Sequence, residues 1–207
     1  MDLWEFEEAL WKTGRNSICG VDEAGAGPLA GPVYAAAVIL PPRIIIEGLD
    51  DSKKLTEKKR DKLFDVIRHE AVAFSVAWVE AEEIDRIDIL NARMKAMQLA
   101  IDGLPTATDF ALIDGDRDHG SQYAVTMPHQ CVVHGDGRSA SIAAASILAK
   151  VSRDRYVTET LAQTYPQYGF ARHKGYGTKF HYEMLDRFGP CPAHRMTFLK
   201  KWKGNEA

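Results

Sequence analysis

Cysteine is scarce: Cys19, Cys131 and Cys191 are the only three in 207 residues, they lie far apart, and no Cys-x-x-Cys pair occurs. That spacing excludes a disulfide framework and a zinc ribbon or finger. Cys19 and Cys131 fall in apolar, strand-like runs and read as core thiols rather than reactive ones. An excess of positive charge is also missing. Lys and Arg number 26 against 29 Asp and Glu, for a net charge of −3. A polyanionic partner must therefore meet a local basic face rather than the whole molecule. The longest apolar stretch, Val33 to Leu40, is closed by Pro41-Pro42 and is too short to span a bilayer. The acidic opening, Met1 to Glu8, lacks the basic and apolar regions of a secretory signal, so no membrane is expected and the cytoplasm is the expected compartment. Repeats, low-complexity tracts and long linkers are absent.

What is present suits a real core: 45% of residues are hydrophobic and 27% charged. The pattern predicts a short helix over 3–12, strands over 17–22 and 33–40, and a helix that Thr56 caps, running to about Glu70 with Leu63, Val66 and Ile67 turned inward. Val72 to Val79 reads as a strand. Ile87, Leu90, Met94, Met97, Ile101 and Leu104 recur at helical spacing. Phe110 to Ile113, Tyr123 to Met127 and Cys131 to Val133 read as further strands. Ser139 or Ser141 opens an alanine-rich helix reaching about Gln163, and Thr178 to Phe188 reads as a helix ended by Gly189-Pro190. Strands first and helices later predict one α/β domain over 1–207, a mixed sheet flanked by helices, of which about 165–207 forms a C-terminal helical appendage.

Three strand-like segments end in an acid near a glycine: Asp22-Glu23, Asp114-Gly115 and Asp136-Gly137. Neighbouring side chains on a strand point to opposite faces, so Asp22 and Glu23 serve one site only if the strand ends there. Gly25, Gly27 and Pro28 are placed to end it. Asp-Gly is also a common turn dipeptide, so either later aspartate taken alone reads more readily as an Asx-turn. Taken together, four converging carboxylates would repel, and a divalent cation relieves that repulsion. Oxygen-only ligands favour Mg²⁺ or Mn²⁺, and two such ions suit phosphodiester hydrolysis.

The run Val21-Asp22-Glu23-Ala24-Gly25, continued by Gly27-Pro28-Leu29-Ala30-Gly31-Pro32-Val33, resembles the opening signature of ribonuclease HII. Leu49-Asp50-Asp51-Ser52-Lys53-Lys54-Leu55, Ile113-Asp114-Gly115 and Gly135-Asp136 resemble later blocks of that family. So do Ile142 to Val151, Tyr165 to Phe170, His173-Lys174-Gly175-Tyr176-Gly177-Thr178, and His194-Arg195 with Phe198. The blocks run in family order along nearly the whole chain. The resemblance implies an RNase H-like fold and cleavage of RNA in RNA–DNA hybrids. It also implies nicking 5′ of a single ribonucleotide in duplex DNA, leaving a 3′-hydroxyl. It matches Asp22, Glu23, Asp114 and Asp136 to the family's metal-binding acids, with two Mg²⁺ or Mn²⁺ as cofactors.

By the same resemblance, the glycine loop Gly25-Ala26-Gly27 and Tyr176 read the ribonucleotide and its junction with DNA. Backbone lacking side chains can approach a sugar closely, and the 2′-hydroxyl needs a hydrogen-bonding partner. Lys53, Arg172 and Lys174 are the preferred phosphate contacts; Lys54, Lys58, Lys59, Arg60, Lys150, Arg153, Arg155, Lys200 and Lys201 are further candidates. Two positions depart from the pattern. Ala26 stands where the family loop reads Gly-Arg-Gly, and His134 stands where a lysine commonly precedes Gly-Asp. Losing that arginine leaves open a hybrid-binding protein with impaired cleavage. Gly25 to Ala30 also fits G-x-G-x-x-A, but the prolines and preceding acids argue against a dinucleotide site. The expected state is a monomer. Phe198 to Trp202 reads as a packed tail in preference to a segment that docks a replication clamp. The extra N-terminal domain usual in ribonuclease HIII is not expected.

Overall fold

A computed structural model describes residues 3–50, 52–116 and 122–202. Five strands form one sheet: β1 (Ile18–Ala24), β2 (Val33–Ile39), β3 (Ala73–Val79), β4 (Phe110–Asp114) and β5 (His129–Val132), in the order β3-β2-β1-β4-β5. The pairs β1–β2 and β2–β3 are antiparallel, whereas β1–β4 and β4–β5 are parallel. The sheet is therefore mixed, as the sequence order implies.

Helices cover both faces. On one lie α3 (Ala81–Ile87) and α4 (Ile89–Asp102), and on the other α2 (Glu57–Glu70) and α5 (Ala140–Arg155). Period-two alternation along the strands assigns each side chain to a face. Cys19, Val21, Val33, Ala35, Ala37, Ala111 and Ile113 pack with α4, while Ala24, Ala36 and Val38 pack with α2 and α5. All seven residues of β2 are buried because both its faces are covered. Gly20 is what lets α5 come so close: a Cβ there would lie 2.0 Å from the Ser141 carbonyl carbon.

The N-terminal helix α1 (Glu5–Trp11) is locked to the start of α5 by Glu7. Its Oε1 accepts from the hydroxyls of Ser139 and Ser141, each at 2.6 Å. Of the two serines, Ser139 is the one that caps α5, accepting from the Ile142 N–H. Thr56 caps α2 as expected, and Leu63, Phe64 and Ile67 are its buried residues, with Val66 only partly buried.

Three expectations are corrected. The methionine-bearing stripe is two helices, because Asp88 takes a positive φ of 67° and its carboxylate caps α4 at Asn91 N–H. Tyr123 to Met127 is not a strand: the N–H of Thr126 goes to the Gln98 side chain, so this segment is held by α4 rather than by a neighbouring strand. Finally, β1 does not end at Asp22 but runs on to Ala24, pairing with β2 through Ala24↔Tyr34.

Beyond Arg155 the helix widens into a π-helical stretch, Tyr156–Leu161, before α6 (Ala162–Thr164), α7 (Phe170–His173) and α8 (Lys179–Phe188). These C-terminal elements bury Val157, Leu161, Tyr168, Phe170, Leu185 and Leu199 against Leu29 and Ala30 of the glycine-rich loop. The appendage is thus packed directly on the segment that follows β1.

Candidate active site

Because β1 continues past Asp22, alternation sends its two acids to opposite faces. Asp22 shares the α5 face with Gly20 and Ala24, and Glu23 shares the α4 face with Val21. The parallel register Val21↔Ile113 then sets Asp114 beside Asp22 on the α5 face. After β5 a tight turn, Gly135–Gly137, brings Asp136 back toward them. Asp114 Oδ1 accepts from the Gly135 N–H at 2.7 Å and the Asp136 N–H at 3.3 Å, which ties that turn to the end of β4. Asp22, Asp114 and Asp136 each offer a carboxylate oxygen, and these oxygens lie within 4.8 Å of one another.

Glu23 stands apart from that trio. Its Oε1 lies 2.7 Å from Arg93 Nη2 on α4. Its Oε2 is buried with no hydrogen-bond partner, as is Arg93 Nε. Asp22 accepts from the Glu23 N–H at 2.7 Å and from Ser146 of α5, whose hydroxyl is 2.7 Å from that of Ser52. Burial, then the charges of Glu23 and Asp114, push the Asp22 carboxyl well above the usual carboxylate range. Burial also raises Glu23, against the lowering effect of Arg93, and burial together with Asp136 raises Asp114. Clustered buried carboxylates that resist ionisation, with one carboxylate oxygen left unsatisfied, fit a hard divalent cation.

A cleft of about 230 Å³ opens beside the acids. Asp22, Glu23, Asp114, Ser52, Lys53, Ser146, Lys150, Tyr176 and Ala24 to Gly27 line it. Lys53 Nζ is 3.0 Å from Asp136 Oδ2. Its loop is held by Arg60, whose Nη1 donates to the carbonyls of Ser52 and Leu55. Tyr176 is 43% exposed at the cleft. Gly27 lies beside Tyr176, and a Cβ added there would come within 3.9 Å of the ring edge carbon Cε1.

Two cations favoured from the sequence lie elsewhere. Lys174 turns its ammonium to the Thr158 hydroxyl on the π-helical stretch, and Arg172 lies over the Phe180 ring at 5.1 Å. Lys150, a lesser candidate, lines the cleft instead, with Nζ 2.9 Å from Asp154 Oδ1 and 5.9 Å from the Tyr176 ring centre. Ser146 and Arg93 were not singled out from the sequence. Ser146 is one of several small residues on an alanine-rich helix, and Arg93 is one of two cations, with Lys95, beside the apolar stripe of α4, so no local signal separates either from its neighbours.

A mixed sheet in this strand order, with aspartates gathered from within β1, the end of β4 and the turn after β5, defines a nuclease of the RNase H-like class. The family model described as Ribonuclease HII matches residues 19–202. The chain belongs to the ribonuclease HII family. A ribonuclease HII from Caldicellulosiruptor bescii is 52% identical over 199 residues, covering 96% of this chain and 94% of that protein. The crystal structure of ribonuclease H2 from Pyrococcus horikoshii superposes with a TM-score of 0.72 at 27% identity, covering 88% of this chain and 93% of that one. The ribonuclease HII solved in complex with PCNA from Archaeoglobus fulgidus shares the fold, with a TM-score of 0.72 at 24% identity over 93% of this chain and 98% of that one. No helix among the described residues is long and apolar enough to cross a membrane.

Proposed function

We propose that this chain is an endoribonuclease that hydrolyses the RNA strand of RNA–DNA hybrids. It also nicks duplex DNA 5′ of a single embedded ribonucleotide, leaving a 3′-hydroxyl. It acts as a monomer in the cytoplasm, in the removal of ribonucleotides from DNA, with two Mg²⁺ or Mn²⁺ as cofactors. The observation that carries this reading is the convergence of Asp22, Asp114 and Asp136 within 4.8 Å beside a cleft lined by Gly25 to Gly27 and Tyr176.

In this reading Asp22, Asp114 and Asp136 hold the cations, and Glu23 adds its unsatisfied Oε2 from the other face of β1. When bound, divalent cations supply an activated water and neutralise charge developing on the leaving oxygen. The chain's own groups do the rest. Lys53, released from Asp136, and Lys150 offer ammonium groups to the phosphates flanking the scissile bond. The glycine loop admits the sugar without a side chain in the way. The Tyr176 ring packs on the deoxyribose that follows and leaves no room there for a 2′-hydroxyl. Arg172 and Lys174 serve the substrate less directly, Lys174 by holding the Tyr176 segment to Thr158.

Ala26 favours a second reading, a hybrid-binding protein that cleaves poorly. It presents only a methyl group to the cleft, where the family pattern places a guanidinium worth about 1.5–3 kcal/mol as a charged hydrogen bond. One experiment separates the two. An end-labelled duplex with one ribonucleotide is incubated in Mg²⁺, Mn²⁺ or EDTA with the wild type, Asp22→Asn and Ala26→Arg. Metal-dependent nicking 5′ of the ribonucleotide that Asp22→Asn abolishes is the expected result. Binding with little or no nicking in the wild type, which Ala26→Arg restores to metal-dependent nicking, establishes the second reading instead.

A further inference from the structure

We propose that Arg195 is a specificity-determining positioning residue: by capturing the carbonyls of Gly25 and Ala26 from behind, it turns the Ala26 and Gly27 N–H groups into the cleft as paired donors for a ribose or phosphate oxygen. The inference rests on the reading of the cleft as the place where a ribonucleotide is recognised.

Arg195 is fully buried, yet among the described residues it has no ion pair with a carboxylate. Its guanidinium is spent on main-chain oxygens. Nη2 donates to Gly25 O at 2.7 Å, Nη1 to Ala26 O at 3.0 Å, and Nη2 and Nε to Gly31 O at 2.8 and 2.9 Å. The planar fork suits such convergent acceptors, which an ammonium would not hold together. A trans peptide is planar, with its C=O and N–H pointing in opposite directions. Fixing the carbonyls of Gly25 and Ala26 on one guanidinium therefore directs the next two amides, Ala26 and Gly27, away from it. None of the loop and turn backbone hydrogen bonds among the described residues uses either amide. Both residues line the cleft with Asp22, Lys53 and Tyr176. Two successive amides aimed one way form an oxygen-binding nest.

A second guanidinium closes the arrangement from below. Arg153 of α5 donates to the carbonyls of Pro32, Lys174 and Ala30, each at 3.1 Å. Gly25, at φ +93°, rests directly on it, and a Cβ at that position would fall 2.0 Å from Arg153 Nε. The segment carrying Arg195 is itself strapped to the loop, with Arg195 N–H donating to Leu29 O and Gly31 N–H to Ala193 O, each at 2.8 Å. The C-terminal appendage thus sets the shape of a loop that β1 delivers, and Arg195 is the point of contact.

The test uses the full chain in Ca²⁺, with fluorescence anisotropy on two duplexes that differ in one 2′-hydroxyl. Mn²⁺ titration calorimetry and thermal melting are run alongside. Arg195→Lys keeps the charge and loses the fork. Its expected result is a loss of about tenfold in the preference for the ribonucleotide duplex, with cooperative melting retained and Mn²⁺ affinity unchanged. A variant that melts earlier but keeps the full preference makes Arg195 merely structural and overturns the proposal. If Arg195→Lys does not fold, amide exchange on the wild type decides. Ala26 and Gly27 N–H exchange rapidly in the free protein and are protected by the ribonucleotide duplex more than by the all-DNA one. Slow exchange in the free protein overturns the proposal. A wild type with no preference between the duplexes overturns the functional reading and this inference with it.

Discussion

Arg93 holds Glu23 by one oxygen only: Nη2 to Oε1 is 2.7 Å, while Oε2 of the glutamate and Nε of the arginine remain buried and unsatisfied. The pair sits on the α4 face of β1, opposite Asp22. Removing the arginine strands a buried carboxylate beside Asp114. Arg93→Met is therefore expected to lower stability by about 1–3 kcal/mol in urea unfolding, and a second substitution, Glu23→Gln, is expected to restore part of it. An additive double variant would show that the two side chains do not depend on each other.

Asp22 is costly to keep charged without a cation. Its folded-state pKa is raised, so the folded chain holds the proton more tightly than the unfolded chain. The acid's contribution to stability is thus present at low pH and is lost as pH rises through the elevated value. Asp22→Asn removes that penalty. In EDTA at neutral pH it is expected to melt a few degrees above the wild type, while losing both nicking and the stabilisation that Mg²⁺ gives. Scanning fluorimetry with and without Mg²⁺ reads both effects; a variant that melts lower than wild type in EDTA contradicts them.

The buried histidines act with the opposite sign. His181 Nε2 and His194 Nε2 are 3.0 Å apart, and His181 Nδ1 is 2.9 Å from Tyr176 O, so the neutral rings fix the backbone that carries Tyr176. Burial depresses both to about 4, with their mutual repulsion adding at His194. In the unfolded chain they take up protons near 6.5, so their stabilising effect is complete above that pH and drains away as pH falls toward about 4. The loss between pH 7 and 5 is on the order of 2 kcal/mol per histidine. His194→Gln, which cannot titrate, should flatten this acid limb in denaturant melts; an unchanged limb would place its origin elsewhere.

Gly20→Ala tests the close approach of α5 to β1. The added methyl meets main-chain atoms of Ser141 and Ile142 at 2.0–2.4 Å, and backbone cannot swing aside as a side-chain tip does. A loss of about 1–3 kcal/mol or more is expected, together with weaker Mn²⁺ binding, because the same helix carries Ser146 to Asp22. Wild-type stability would mean that α5 has slack the structure does not suggest.

Much of this architecture was readable along the chain. Short apolar runs marked β1, β2, β3 and β4, Thr56 and Thr178 marked two helix starts with their own side chains as caps, and the acids near glycines pointed to the candidate site. These signals are local, written in period and in capping chemistry. The segment at Tyr123 misled because apolar alternation reports burial, and Val125 is buried without any strand partner. Asp88 misled because a single positive φ can split a stripe whose spacing stays helical.

What the sequence by itself determined is most of the elements, since apolar runs and caps are local, and membership of the family, since its blocks recur in order along residues 19–202. The tertiary structure decided which way each group faces. The continuation of β1 to Ala24 separates Asp22 from Glu23, because pairing with β2 outweighs the glycines that follow. Lys174 turns to Thr158 while Lys150 takes the cleft, and Arg195 reaches the glycine loop from 170 positions away. Such contacts depend on how distant segments pack, and no local pattern of residues encodes them.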